Sequence, residues 1–188
     1  MQEGLAIIPK VFSPGTKILP SVTEIFELEL AYLEYEKLKE SDLISRSAYL
    51  MEYNGELTRH FLAYRKRNDG ITQNRSAQTQ NYFEKREFIT GYATHGLFPY
   101  RGKFHPQLIK AILNIIGLHK GETLLDPMCG SGTANIEAAL LGINSIAIDV
   151  SPFYLFMTKV KYDSLTIQKE LLKQLTSNKE KLFDFFPR

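Results

Sequence analysis

Apolar positions follow two different rhythms along the chain, and the change falls near residue 82. The first stretch opens with Pro9, Pro14, Gly15 and Pro20, which read as an extended or turning leader. Ser21 then stands where a helix could be capped, with Glu24 three residues on to complete a capping box. Val22, Ile25, Phe26, Leu28, Leu30, Leu33 and Leu38 follow at spacings that form one broad apolar helical face. Leu43, Tyr49, Leu50, Tyr53, Leu57, Phe61 and Tyr64 predict a second helix over about 42–67, weakened in the middle by Gly55. The run 68–81 is polar and unpatterned, which predicts a loop and a domain boundary. Residues 1–82 are thus expected to form an α-helical N-terminal region.

From residue 83 onward the pattern alternates between helix and strand. Pro106 suits the first turn of a helix carried on by Leu108, Ile109, Ile112, Ile115 and Ile116 and ended by Gly117. Residues 122–126 (Glu-Thr-Leu-Leu-Asp) predict a short buried strand, 133–141 an alanine- and leucine-rich helix closed by Gly142, and 144–149 a second strand ending in an acid. A helix over 152–165 and a charged amphipathic tail over 171–186 complete the pattern. Two strands make only part of a sheet, so the outer side of the first strand is expected to be an open edge beside exposed apolar surface.

The chemistry concentrates between the first strand and its helix, in the stretch 124–133 that reads Leu-Leu-Asp-Pro-Met-Cys-Gly-Ser-Gly-Thr. Gly130 and Gly132 are expected to let the backbone pass close to a ligand. Asp149 lies 19 residues after Gly130 at the end of the next strand, the spacing at which a carboxylate reaches the hydroxyls of a ribose. The alternative is a tight strand–helix turn followed by a surface aspartate. The loop lacks the third glycine of a dinucleotide fingerprint and the Gly-Lys-Ser/Thr of a triphosphate loop. Asp126 would repel a pyrophosphate and suits a ligand bearing an ammonium group, which points to S-adenosylmethionine.

Asp126, Pro127, Met128, Cys129, Gly130, Ser131, Gly132 and Thr133 together resemble the cofactor loop of amino-methylating DNA methyltransferases, usually Asp-Pro-Phe-Cys-Gly-Ser-Gly-Thr. Upstream, the segment 98–106 (Phe-Pro-Tyr-Arg-Gly-Lys-Phe-His-Pro) is similar to the Pro-Tyr-x-x-Lys-Phe segment of the same family, particularly of cytosine-4-amino methylases. The resemblance covers roughly residues 94–160. It implies an α/β fold, part of a Rossmann-like methyltransferase sheet with its first two strands and flanking helices over 83–188. It also implies S-adenosyl-L-methionine as cofactor and an exocyclic base amine in DNA as target, cytosine favoured over adenine. On this resemblance Asp126 and the Gly130–Gly132 backbone hold the methionine amino group and carboxylate, and Asp149 binds the ribose. Val150 and Phe153 would flank the adenine, while Lys103 and Phe104, with Tyr100 nearby, would close over the methionine end. A solvated surface position is the plain alternative for Lys103, and core packing the one for Phe153.

The family's catalytic loop, Asp/Asn/Ser-Pro-Pro-Tyr/Phe, stacks on the flipped base and orients its amine. None of the eight prolines here adjoins another. Ser151-Pro152-Phe153 follows the ribose acid directly and so belongs to the adenine end. Three readings remain open: a fragment, one subunit of a split enzyme whose partner brings the catalytic loop, or a non-catalytic interaction module with a vestigial cofactor site. An RNA guanosine 2-amino methylase is the rival within enzymes.

Composition narrows this picture only slightly. The 188 residues are 44% hydrophobic with a formal net charge of +2, enough for a core and neutral on nucleic acid. Arg59, His60, Arg65, Lys66, Arg67, Arg75, Lys85 and Arg86 could contact phosphates, or form an ordinary solvated face. The single cysteine, Cys129, excludes an internal disulfide and a cysteine metal cage. No run approaches a membrane span or a signal peptide, so a cytoplasmic protein without metal is expected. Tyr92 and His95 stand near the expected cofactor mouth with no role assigned.

Overall fold

The computed structural model describes residues 11–19, 22, 24–68, 92–98, 100 and 102–177. Its elements run β1 (Lys17–Ile18), α1 (Ile25–Lys37), α2 (Glu40–Arg46), β2 (Leu50–Tyr53), β3 (Glu56–Leu57), α3 (Arg59–Asn68), α4 (Pro106–Ile115), β4 (Thr123–Asp126), α5 (Thr133–Leu140), β5 (Asn144–Ala147), α6 (Pro152–Asp163) and α7 (Lys169–Ser177). The chain is therefore mixed α/β.

The N-terminal region is not the helical layer that its apolar spacing predicted. The expected helix over 42–67 is broken by a β-hairpin, in which β2 pairs antiparallel with β3, and β1 adds to the other edge of β2. Asn54 (φ 50°) and Gly55 (φ 86°) make the two-residue connection, a dipeptide whose tolerance of positive φ suits tight hairpins. The Gly55 that weakened the helix is thus the turn itself. Thr58 closes the hairpin and opens α3: its hydroxyl donates to the Leu50 carbonyl at 2.7 Å and accepts from the Phe61 amide at 3.2 Å. Ser21 lies outside the described residues. Helix α1 begins after Glu24, whose amide donates to the Glu27 carboxylate at 3.2 Å, so the capping pair sits one turn later than expected.

A core of Phe12, Ala31, Leu43, Ala48, Tyr49, Leu50 and Tyr53 fills the space between these elements and reaches Ala111 of α4. Helix α4 carries a second core on its other side, where Leu113 meets Ala138 and Ile143, with Ile109, Leu124 and Leu141 packed around them. This changes the expected face of α4. Ile112 and Ile116 are exposed, while Gln107, Lys110 and Asn114 are buried. Gln107 and Asn114 are buried because α1, the end of α2 and the segment just after α2 supply their partners. Asn114 Nδ2 donates to Glu34 at 2.7 Å and to the Arg46 carbonyl at 3.0 Å, and Gln107 donates to the Ala48 carbonyl at 2.9 Å. Glu34 also accepts from the Ala48 and Tyr49 amides at 3.0 and 3.2 Å.

Strands β4 and β5 are parallel, with Leu125 opposite Ile146 and Asp126 opposite Ala147, and α5 connects them. Leu124 points into the core beneath α4 and α5. Leu125, Ile146 and Ile148 point the other way and keep 57%, 53% and 50% of their surface exposed. Among the described residues nothing covers that face.

Candidate functional site

The glycine loop is built from main-chain hydrogen bonds before any side chain contributes. The Ile148 amide donates to the Asp126 carbonyl and the Cys129 amide to the Ile148 carbonyl, each at 2.9 Å, so the loop is laced to the end of the second strand. Asp149 completes this lacing. One carboxylate oxygen accepts from the Gly130 amide at 2.8 Å and the other from the Ser151 amide at 2.9 Å. The two aspartates at the ends of the parallel strands thus flank the loop, and Asp149 is fixed in orientation rather than left as a loose surface acid.

The two glycines have different jobs. Gly130 (φ +50°) has the Tyr100 ring 3.7 Å from where a Cβ would stand, which is ordinary contact. Beside Gly132 (φ +75°) a Cβ would meet Thr158 Cγ2 at 2.6 Å. The absence of a side chain at Gly132 lets the start of α5 pack against α6. Helix α6 also holds the loop by side chains. Thr158 Oγ1 donates to the Gly130 carbonyl at 3.0 Å, and the buried Lys161 ammonium donates to the Ser131 carbonyl at 2.6 Å. Burial, followed by the nearby Lys103 charge, pulls the Lys161 ammonium down to about 8.

Around this frame the expected residues divide by exposure. Met128, Val150, Phe153 and Phe104 are open, and Val150 is wholly so, while Pro127 is also exposed. Phe153 packs into neither core of the described residues. Cys129 is buried against Thr158, its sulfur 3.7 Å from the hydroxyl, and burial raises its thiol pKa. Ser131 and Thr133 are also buried, and neither hydroxyl has a hydrogen-bond partner among the described residues. Lys103 is half-buried, with its ammonium donating to the His95 carbonyl at 3.2 Å, so it is not a free surface lysine. Tyr100 packs on Tyr154 with ring centroids 5.3 Å apart.

The electrostatics favour a cation. Desolvation raises the Asp126 carboxyl pKa, the Met128 amide opposes this, and the Asp149 charge raises it further. Two neighbouring carboxylates of this kind stabilise an ammonium or sulfonium and repel phosphate. The orphaned Ser131 and Thr133 hydroxyls and the exposed apolar rim of Val150 and Phe153 extend the fit to a ligand with one charged and one flat end. S-adenosyl-L-methionine has that form. Among the described residues no group of three His, Cys, Asp or Glu side chains is placed to hold a metal ion, and no helix is long and apolar enough to cross a membrane.

A buried polar cluster beneath the loop had no motif to announce it. Tyr92 Oη and His95 Nε2 both meet Glu137 Oε1 of α5, at 2.5 and 2.7 Å. His60 packs edge-on against Tyr92 at 5.1 Å. His60 is buried, with its pKa well lowered by desolvation and then by Lys110, His105 and His95, so it cannot serve as the phosphate contact considered from sequence. Arg59 is exposed, whereas the side chains of Arg65, Lys66 and Arg67 and all of Arg75, Lys85 and Arg86 lie outside the described residues. Glu137 could have been suspected as the one charged residue in α5, beside Ile136 and two alanines. Thr158 and Lys161 carried no signal beyond helical spacing.

Residues 97–184 match the UPF0020 family model, described as an RMKL-like methyltransferase domain. A Type II methyltransferase, M.MjaII of Methanocaldococcus jannaschii, is 43% identical over 89 residues, 46% of this chain and 17% of that protein. Another, M.BsoBI of Geobacillus stearothermophilus, is 45% identical over 58 residues, 31% of this chain and 11% of that protein. A tRNA (guanine(10)-N2)-dimethyltransferase of Methanothermobacter thermautotrophicus is 38% identical over 53 residues, 28% of this chain and 16% of that protein. The chain thus spans less than one fifth of the length of these relatives.

Proposed function

We propose that this chain is the cofactor-holding part of a class I S-adenosylmethionine-dependent enzyme that methylates an exocyclic base amine in DNA. The match of residues 97–184 to a methyltransferase domain and the similarity to two Type II methyltransferases support this reading. The observation that carries the reading is the pair of acids at the ends of two parallel strands, Asp126 and Asp149, with Asp149 locked to the Gly130 amide at 2.8 Å.

The cofactor supplies an electrophilic methyl group on a sulfonium. The chain's own residues bind and orient it. Asp126 receives the ammonium of the methionine end, and the free lone pairs of Asp149 receive the ribose hydroxyls. Gly130 to Thr133 offer backbone and hydroxyl groups to the carboxylate, with Lys103 and Tyr100 closing that end beside Phe104. Val150 and Phe153 flank the adenine. With the cofactor held in this way, an amine presented to its methyl group would take the methyl and give up a proton to solvent or a base, the electrons of the broken carbon–sulfur bond staying on sulfur.

The group that holds the amine, a Pro-Pro-Tyr/Phe loop, is not present in this sequence. We assign it to a complementary part of the enzyme, either the remainder of a longer protein or a second subunit. The same part would add strands beside β4 and β5 and cover Leu125, Ile146 and Ile148. A folded domain does not ordinarily leave such an apolar sheet face in water. The division into an N-terminal unit over 1–82 and a cofactor unit over 83–188 belongs to the same proposal, as does a cytoplasmic setting beside a restriction enzyme.

Labelled methyl transfer tests this directly. The chain, combined with a part carrying the catalytic loop, should transfer tritiated methyl groups to duplex DNA and not to tRNA. Transfer to tRNA guanosine instead would establish the second reading, which the similarity to tRNA (guanine(10)-N2)-dimethyltransferases favours. Transfer to neither, by a combination shown to bind cofactor, would leave a non-catalytic module.

A further inference from the structure

We propose that Glu137 is a positioning residue for cofactor binding: it clamps the 92–104 strap to the glycine-loop helix and so sets Lys103. This rests on the reading of the loop as a cofactor site.

The strap has little regular structure. Residues 92–98 form turns, and Ala93 adopts φ 48°, which a residue with a Cβ rarely takes. Backbone hydrogen bonds in this stretch are local, from the His95 amide to the Tyr92 carbonyl and from the Leu97 amide to the Thr94 carbonyl. Among the described residues this segment joins no strand ladder. It is held instead by two side chains that reach across 45 and 42 residues to one atom, Glu137 Oε1. The Tyr92 and His95 rings also pack edge-on, with centroids 5.1 Å apart. Tyr92 Oη donates to that oxygen, and the His95 ring presents Nε2 to it, which makes the Nε2–H form the one that satisfies the pair. Glu137, Tyr92 and His95 are all buried, so these bonds are shielded from competing water.

The consequence for the site follows along the chain. The His95 carbonyl is the acceptor for the Lys103 ammonium, and Tyr100 of the same strap lies over Gly130. Glu137 belongs to the helix that starts at the glycine loop, with Gly132 at its N-cap. One carboxylate therefore ties both sides of the methionine end to a common rigid element. Loss of the clamp frees the strap and leaves the loop, which Asp149, Thr158 and Lys161 hold independently.

A double-mutant cycle separates this role from a general effect on folding. S-adenosylhomocysteine is titrated into the chain and into Glu137→Ala, Lys103→Met and the double variant. The proposal predicts at least a tenfold loss of affinity for Glu137→Ala when Lys103 is present, and no more than twofold when Lys103 is already methionine. Equal losses in both backgrounds overturn it. Glu137→Gln keeps an acceptor oxygen for both partners and should stay within threefold of the parent. A loss as large as that of alanine would show that charge, not the clamp, is what matters.

Should Glu137→Ala fail to fold, Tyr92→Phe removes one of the two bonds and should show the same coupling to Lys103 at smaller size. Amide hydrogen exchange gives a readout without ligand. Exchange over 95–104 should rise at least tenfold in Glu137→Ala while β4 and β5 stay protected. Uniform acceleration, or none, contradicts the clamp. If the parent chain binds no S-adenosylhomocysteine, the cofactor reading fails on its own, and exchange still decides whether the clamp exists.

Discussion

The two sheets of this chain meet water in opposite ways. The antiparallel sheet is closed in. Leu50 is wholly buried, Tyr53 nearly so, and α1, α2 and α4 surround them. The parallel pair β4–β5 is packed on one side and bare on the other, where Leu125, Ile146 and Ile148 remain about half exposed. The loop at its carboxyl end adds Met128, Val150 and Phe153 to the same uncovered region. Burial in the first sheet contributes to stability within the chain, whereas the exposed face of the second contributes little to it and is the surface that the proposed function assigns to a ligand and a complementary part. Folding energy and function are thus held in different places.

Substitutions can break that comparison. The largest effect is expected at Leu50→Ala, about 2–5 kcal/mol of lost stability in a denaturant titration. A loss below 1 kcal/mol would mean the closed sheet is not a core. Gly132→Ala comes next, with about 1–2 kcal/mol for the left-handed backbone and roughly 1–3 kcal/mol for the clash with Thr158. Thr158→Ala in the same chain should recover part of the second contribution, and no recovery would mean the glycine serves something else.

The covered region should also carry a pH signature. Burial pushes the Glu34 carboxyl from 4.5 to about 7, against the opposing hydrogen bonds from Asn114 and from the Ala48 and Tyr49 amides. The folded chain therefore keeps a proton that the unfolded chain releases. The contribution of Glu34 is fully present below about 4.5 and is lost as pH rises through about 7, by about 3 kcal/mol in all. The buried histidines His60 and His95 act with the opposite sign as pH falls, so the difference in urea midpoint between the parent and Glu34→Gln at the two ends of that window measures the Glu34 contribution. The smallest effect is expected on the bare face. Ile146→Ala should change the stability of the chain by less than about 0.5 kcal/mol, yet weaken any association with a part that completes the sheet.

The site was more legible than the fold around it. The loop 126–133 and Asp149 were readable because backbone chemistry demands particular residues at particular steps. Glycine is needed where φ is positive, and an acid two residues past the second strand accepts the Gly130 and Ser151 amides. The hairpin at Asn54–Gly55 was hidden because Leu50, Tyr53 and Leu57 also fit a helical spacing, and short strands carry too few residues to establish alternation. Helix α4 misled for another reason. Its exposed Ile112 and Ile116 look like a core stripe, and its buried Gln107, Lys110 and Asn114 look like a solvent face, because their partners lie some 60–80 residues upstream. Long-range pairing of this kind leaves no local trace. The same holds for Glu137 with Tyr92 and His95, and for Lys161 beneath Ser131.

The most direct test of the central claim is a calorimetric titration of the folded chain with S-adenosylhomocysteine, ATP and NAD in parallel. The acids at 126 and 149 predict one-to-one binding of S-adenosylhomocysteine, weakened at least tenfold by Asp149→Asn, and no binding of the two phosphate-bearing ligands. Equal binding of all three, or binding of S-adenosylhomocysteine indifferent to Asp149, would contradict the assignment of this loop as a methyl-donor site.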